Sequence, residues 1–247
     1  MANASRRERL RAAQQAQAKR RRVRIIAAIG VGIGALVAIA VLVWSTIGNA
    51  PAPVAARPPN ATAANDGIVV NPGVAKPNAP VVGLYFDYQC SHCVTFEEKY
   101  GLTINALANA GDISLINHTK VFLDKGDATG LSHRGAIAAA CADVAGVYKN
   151  FHQSIFAAAY QGEYTDELFR VTLPQQAGLS GEPLTQFQSC YDNRTMAGFV
   201  QGVEEAASKA GVLSTPTLVI NGKTQDLTTL PDDVSKLQAF IEAAAAA

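Results

Sequence analysis

The sequence predicts an α/β domain carried behind a single membrane-spanning helix. Three observations predict it. An uncharged apolar run of twenty residues follows a basic lead. The elements after it read βαβ, several helices, then ββα. A Cys-X-X-Cys pair, Cys90 and Cys93 in "FDYQCSHC", falls at the junction of the first strand and its helix. That spacing serves half of a metal site, a haem attachment or a reversible disulfide.

Residues 25–44, "IIAAIGVGIGALVAIAVLVW", are long enough to cross a bilayer and longer than the apolar core of a signal peptide. In residues 1–24 nine Lys or Arg stand against one acid, Glu8. The positive-inside rule therefore puts this tail in the cytoplasm and everything after Trp44 outside it, anchored in the cell membrane. A cleaved signal sequence is the alternative, and "GNAPAPVAA" offers the small residues a peptidase needs; the length and the basic lead favour a retained anchor. No cysteine near the end of the run supports lipidation. Gly30 and Gly34 have the spacing that packs two membrane helices, although glycine is common in such helices anyway.

Outside the tail the chain keeps 12 of its 21 bases and 19 of its 20 acids, a net of −7. That acidity argues against nucleic acid as a partner, and the basic tail reads as a topology signal against anionic lipid. Residues 45–67, with Pro51, Pro53, Pro58 and Pro59 among alanine and asparagine, read as an extended tether. Residues 68–247 suit one domain with its own core.

Within that domain "VVGLYFD" from Val81 is a short β-favouring apolar run, hence a buried strand. Phe96, Tyr100, Ile104 and Leu107 then recur at helical spacing, and "ISLINHTKVFL" predicts the second strand of the βαβ unit. Ile137, Cys141, Val144 and Tyr148 mark one face of a long helix. Further helices are predicted around Leu184, Phe187 and Tyr191, and around Phe199, Val203 and Ala207. "TPTLVINGKTQDL" predicts a strand, an Asn221-Gly222 hairpin turn and a returning strand. An amphipathic segment from about Pro231 to Ala246 predicts the closing helix.

Placed on these elements, the cysteine pair can be weighed. Haem attachment needs histidine after the second cysteine, where this chain has Val94. A closed zinc site wants two close pairs, but Cys141 and Cys190 are single and His92 lies inside the first pair, so no metal is expected. A reversible disulfide suits spacing, location and an oxidising compartment together. The thiolate is the attacking species, and the N–H groups at a helix start stabilise it, so Cys90 is expected to have a lowered pKa. His92 is expected to add a hydrogen bond or charge. Cys93, one turn on and more enclosed, would close the ring. A static bridge has no need of this position.

The order βαβ, helices, ββα resembles a thioredoxin fold with a helical domain inserted between its halves, at about residues 125–210. More closely, the chain from about Ile68 onward resembles the DsbA family of thiol-disulfide oxidoreductases, especially the membrane-anchored actinobacterial type. The resemblance rests on "FDYQCSHC", "AAACA" with Cys141, "FHQSIF", "SCYDN" with Cys190, and "STPTLVINGK". It implies that Cys90 is the nucleophile, that Ser91 and His92 tune the potential, and that Thr215 and a cis Pro216 face the cysteines and bind substrate. It implies exported cysteine-containing proteins as substrates, no bound cofactor, and a recharging membrane partner of the DsbB or vitamin K epoxide reductase type. Two departures matter. Ser91 stands where DsbA has proline, so a potential does not transfer, and apolar Leu84 stands where DsbA has a buried acid. Asp87 would supply a nearby carboxylate, or else a turn or cap.

With Cys90 and Cys93 paired, one pairing remains, Cys141 with Cys190, and actinobacterial relatives resemble this with a second, structural disulfide. An internal electron shuttle is the sharper alternative. His118, His133 and His152 are expected to serve packing or hydrogen bonding. Disulfide oxidation of exported proteins is the expected activity. The rivals are a reductase or isomerase on the same scaffold and a redox-inert tethered binding module.

Overall fold

The computed structural model describes residues 56–160 and 164–247. The expected basic tail, the membrane helix at 25–44 and the first part of the tether lie outside them. Among the described residues no helix is long and apolar enough to cross a membrane.

A five-stranded sheet runs in the order β1-β3-β2-β4-β5. β2 (Val81–Phe86) is central: it pairs in parallel with β3 (Ser114–Thr119), from Val81 opposite Ser114 to Phe86 opposite Thr119. On its other side it pairs antiparallel with β4 (Thr217–Ile220). A strand with neighbours on both sides and elements on both faces should be apolar throughout, and Val82, Leu84 and Phe86 are buried. β4 returns through Asn221 (φ 47°) and Gly222 (φ 80°) into β5 (Lys223–Thr224), the left-handed pair that a tight hairpin demands. The short edge strand β1 (Ile68–Val69) lies antiparallel to β3.

Between β2 and β3 the chain forms α1 (Ser91–Phe96), a π turn over Glu97–Gly101, and α2 (Leu102–Ala110). Phe96, Tyr100, Ile104 and Leu107 are all buried against the sheet, as their spacing predicts. Between β3 and β4 lie α3 (Leu131–Val144), α4 (Tyr148–Tyr160), α5 (Leu173–Gln176), α6 (Gly181–Asp192) and α7 (Ala197–Lys209). Helix α8 (Leu237–Ala246) closes the chain.

Three expectations need correction. Val144 and Tyr148 do not extend the face of Ile137 and Cys141: α3 ends at Val144, which is half exposed, and Gly146 turns the chain into α4 at φ 75°. Residues 136–142 are buried on every side, so no polar stripe exists to reveal a period. The last helix starts at Leu237 rather than near Pro231, because the Asp233 carboxylate caps a 3-10 turn ahead of it by accepting from the Ser235 N–H. Residues 56–67, read as the end of the tether, fold onto the domain. The Asn60 backbone N–H and Nδ2 donate to the Asp143 carboxylate at 2.9 and 2.8 Å, a partner 83 residues away that composition cannot reveal.

Candidate active site

The last residues of β2 lead through Asp87, Tyr88 and Gln89 to Cys90, which caps α1 in an extended conformation (φ −78°, ψ 114°). The Cys90 N–H donates to the Asp87 carbonyl at 2.9 Å, and the Asp87 carboxylate accepts from the Gln89 N–H at 2.9 Å, so the turn into the helix is held from both ends. Cys90 and Cys93 are free thiols. Cys90 keeps 8% of its surface exposed and Cys93 only 1%, so an incoming sulfur meets Cys90.

The Cys90 thiol is lowered to about 5, first by the hydrogen bond from the Cys93 thiol, which outweighs the cost of burial; Thr215 and the backbone N–H groups of Cys93 and His92 add to it. The same coupling acts in reverse on Cys93, which its bond to Cys90 and its burial push well up. One sulfur is thus a ready thiolate and the other a held thiol. The backbone N–H groups of Cys93 and His92 are the helix-start donors that the sequence predicts, the Cys93 thiol is a donor it did not single out, and the His92 residue is exposed. Ser91 is exposed beside it.

Thr215 and Pro216 arrive from the start of β4, joined by a cis peptide bond, and the Thr215 carbonyl lies 3.5 Å from Cys90 Sγ. The structure therefore brings Cys90, Ser91, His92, Cys93, Thr215 and Pro216 to one place, with Asp87 directly beneath.

Asp87 is fully buried, and of the roles offered for it the structure shows the turn. Besides the Asx turn at Gln89, its carboxylate accepts from Ser132 Oγ at 2.6 Å and from the Leu123 N–H at 3.3 Å. Burial raises it to about 6 despite these bonds. Gln89 extends the network by donating to Asp124 and Ser132, and Asp124 also accepts from the His133 N–H and pairs with the His133 ring at 2.8 Å. A second buried group lies behind α1: Tyr88 Oη is 3.0 Å from His152 Nδ1, and His152 Nε2 is 3.5 Å from Glu97. Sequence reasoning missed Gln89, Ser132, Asp124, Tyr88 and Glu97, because their partners lie in segments remote in the chain that local pattern does not show. His118 stacks on Tyr85 at 4.1 Å and contacts the Asp66 carbonyl at 2.6 Å.

Cys141 and Cys190 stand apart from this centre. They form a disulfide with Cα atoms 5.9 Å apart, joining α3 to α6. Among the described residues no three metal-ligating side chains converge. The arrangement is a thiol-disulfide exchange centre: an accessible stabilised thiolate, an enclosed partner thiol within bonding reach, and a bare backbone edge alongside.

A family model described as thioredoxin matches residues 71–243. The chain belongs to the thioredoxin family. Within it the fold is DsbA-like. It is similar to MdbA of Corynebacterium diphtheriae, described as a thiol-disulfide oxidoreductase, at TM-score 0.61 and 20% identity over 80% of this chain and 97% of that one. MdbA of Actinomyces oris has TM-score 0.61 and 22% identity over 73% and 89%. Reduced DsbA of Mycobacterium tuberculosis has TM-score 0.56 and 24% identity over 73% and 98%. No curated protein matches in sequence. These likenesses place the helical insertion and the cysteine pair of this thioredoxin-family chain in a known architecture.

Proposed function

We propose that this protein is a membrane-anchored, extracytoplasmic disulfide oxidase for exported proteins. The observation that carries the reading is the Cys90 thiolate, lowered to about 5 at an accessible helix start. A substrate thiolate attacks Cys90 of the Cys90–Cys93 disulfide and expels the Cys93 sulfur. A second substrate thiolate then attacks the substrate sulfur of the mixed disulfide and displaces Cys90. A low-pKa thiolate is the better leaving group, so the lowered Cys90 favours transfer of the disulfide to substrate. The backbone at Thr215 and Pro216 is suited to align an extended substrate chain as an added strand.

The exported location rests on residues 25–44 and the basic lead before them. The dithiol left after each turnover needs an electron acceptor, for which a quinone-linked membrane protein of the DsbB or vitamin K epoxide reductase type is the family expectation. Threonine before Pro216 and Ser91 inside the pair favour a second reading, a reductase or isomerase. Equilibrating the full-length protein with glutathione buffers separates the two. A potential near the roughly −120 mV of DsbA supports the oxidase, and one near the roughly −270 mV of thioredoxin overturns it.

A further inference from the structure

The side of α1 and α2 that faces α4 carries a groove that the sulfur chemistry leaves unused. It begins beside the cysteine pair in a cavity of about 500 Å³ lined by Ser91, Val94 and Tyr164 among others. Val94 also lines a second cavity of about 340 Å³, with Glu97, Glu98, Leu102 and Phe156, so the groove continues along the helix away from Cys90. Leu102 on its rim is 77% exposed.

Two carboxylates give this apolar groove a sign. The Glu97 side chain is 11% exposed, and its carboxylate lies 3.5 Å from the His152 ring. Among the described residues no lysine or arginine forms an ion pair with Glu97 or Glu98. Glu97 opens the π turn, a distortion frequent at functional sites. A Cβ at Gly101 would meet Glu97 Oε2, so glycine there leaves the flexible end of the carboxylate side chain where it is. A carboxylate held among apolar walls with no lysine or arginine beside it attracts such a cation more strongly than it would in water.

We propose that this groove receives the flanking segment of a polypeptide engaged at Cys90, and selects a lysine or arginine near the reacting cysteine. The proposal rests on the thiol-disulfide reading above. Glu97 lies six positions beyond Ser91. That is about 9 Å along a helix axis, which an extended chain covers in about three residues. The aliphatic stem of a basic side chain would lie on Val94, Leu102 and Phe156 with its charge at the carboxylates.

The test mixes full-length protein carrying its Cys90–Cys93 disulfide with peptides carrying lysine, glutamine or glutamate three residues to either side of a single cysteine. A peptide thiolate attacks Cys90 and expels the Cys93 thiolate. A second peptide thiolate then attacks the peptide sulfur of the mixed disulfide and displaces Cys90, so the protein is reduced to its dithiol as one peptide disulfide is formed. The lysine-to-glutamine rate ratio is expected to be about fivefold larger for the wild type than for Glu97→Gln/Glu98→Gln, as for a modest ion pair, with glutamate slowest. Uncharged 2-mercaptoethanol gives the basal reduction rate of each protein, against which its peptide rates are normalised. Equal ratios in wild type and variant overturn the groove and leave the exchange centre standing. Failure of 2-mercaptoethanol to reduce either protein overturns the oxidoreductase reading and the proposal with it. Should the double variant fail to fold, Glu98→Gln alone, at an exposed side chain, carries the same comparison with a smaller loss.

Discussion

Cys90 Sγ lies 3.5 Å from the Thr215 carbonyl, and Thr215 Oγ1 is buried with no hydrogen-bond partner among the described residues, a hydroxyl free to turn toward the sulfur. A protonated Cys90 donates to the carbonyl, whereas a thiolate needs donors. The threonine hydroxyl, the Cys93 thiol and the N–H groups of His92 and Cys93 supply them. The same corner thus satisfies both protonation states.

Thiolate absorbance of the reduced protein should therefore titrate at about 5, against about 8.5 for an ordinary cysteine. Thr215→Val removes a donor and should move the titration upward without abolishing exchange. Cys93→Ala removes the largest stabilising bond and should move it further. A wild-type titration in the ordinary range would sink this account of the site.

The lowered pKa also makes the stability of the reduced form depend on pH. A depressed thiol contributes stability that is fully present above its unfolded value and is lost as pH falls through about 5. The oxidised form has no such group. Urea midpoints of the two forms should converge as the solution is acidified toward that value, and a gap independent of pH would contradict the assignment.

Asp87 acts with the opposite sign and in both redox forms. Its carboxyl is raised from 3.8 to about 6, so its ionisation costs stability that is fully felt above about 6 and absent below 3.8. The cost is on the order of 3 kcal/mol. Asp87→Asn should flatten the stability profile across that interval in the oxidised protein. It should also forfeit the Leu123 N–H acceptor if the amide nitrogen faces it. An unchanged profile would place the titration on another group.

Removing the second disulfide with Cys141→Ala/Cys190→Ala should cost roughly 2–4 kcal/mol, since it closes a loop of 49 residues between α3 and α6. Thermal unfolding should report the loss while the Cys90 titration stays in place. A displaced titration would instead tie the helical layer to the active centre.

Exchange itself divides cleanly between the two cysteines. Cys90→Ala should reduce disulfide transfer to background. Cys93→Ala should accumulate mixed disulfides on Cys90, visible on non-reducing gels, because the resolving sulfur is gone. Adducts forming on Cys93 in the Cys90→Ala protein would contradict the enclosure of that sulfur.

The parts legible in sequence were those encoded over short distances. The strand at Val81, the helix faces of Phe96 to Leu107 and Phe199 to Ala207, and the Asn221-Gly222 turn all follow from local period and turn chemistry. The reactive pair followed from a spacing of two residues at a strand-to-helix junction. Residues 136–142 lacked a readable face because a helix buried all round has no polar side. Asn60 looked like tether because its partner, Asp143, lies far along the chain.

Sequence by itself determined the order of elements, the identity of the reactive cysteines and the kind of chemistry they perform, since spacing and periodicity are properties of neighbouring residues. Only the tertiary structure decided what surrounds the sulfurs. Thr215 comes from a strand 125 residues away, and Ser132 from a helix 45 residues away holds Asp87. The largest support of the Cys90 thiolate is the Cys93 thiol, which the sequence did not single out as a donor. Burial and hydrogen-bond direction set a pKa, and both depend on packing between segments that are remote in the chain.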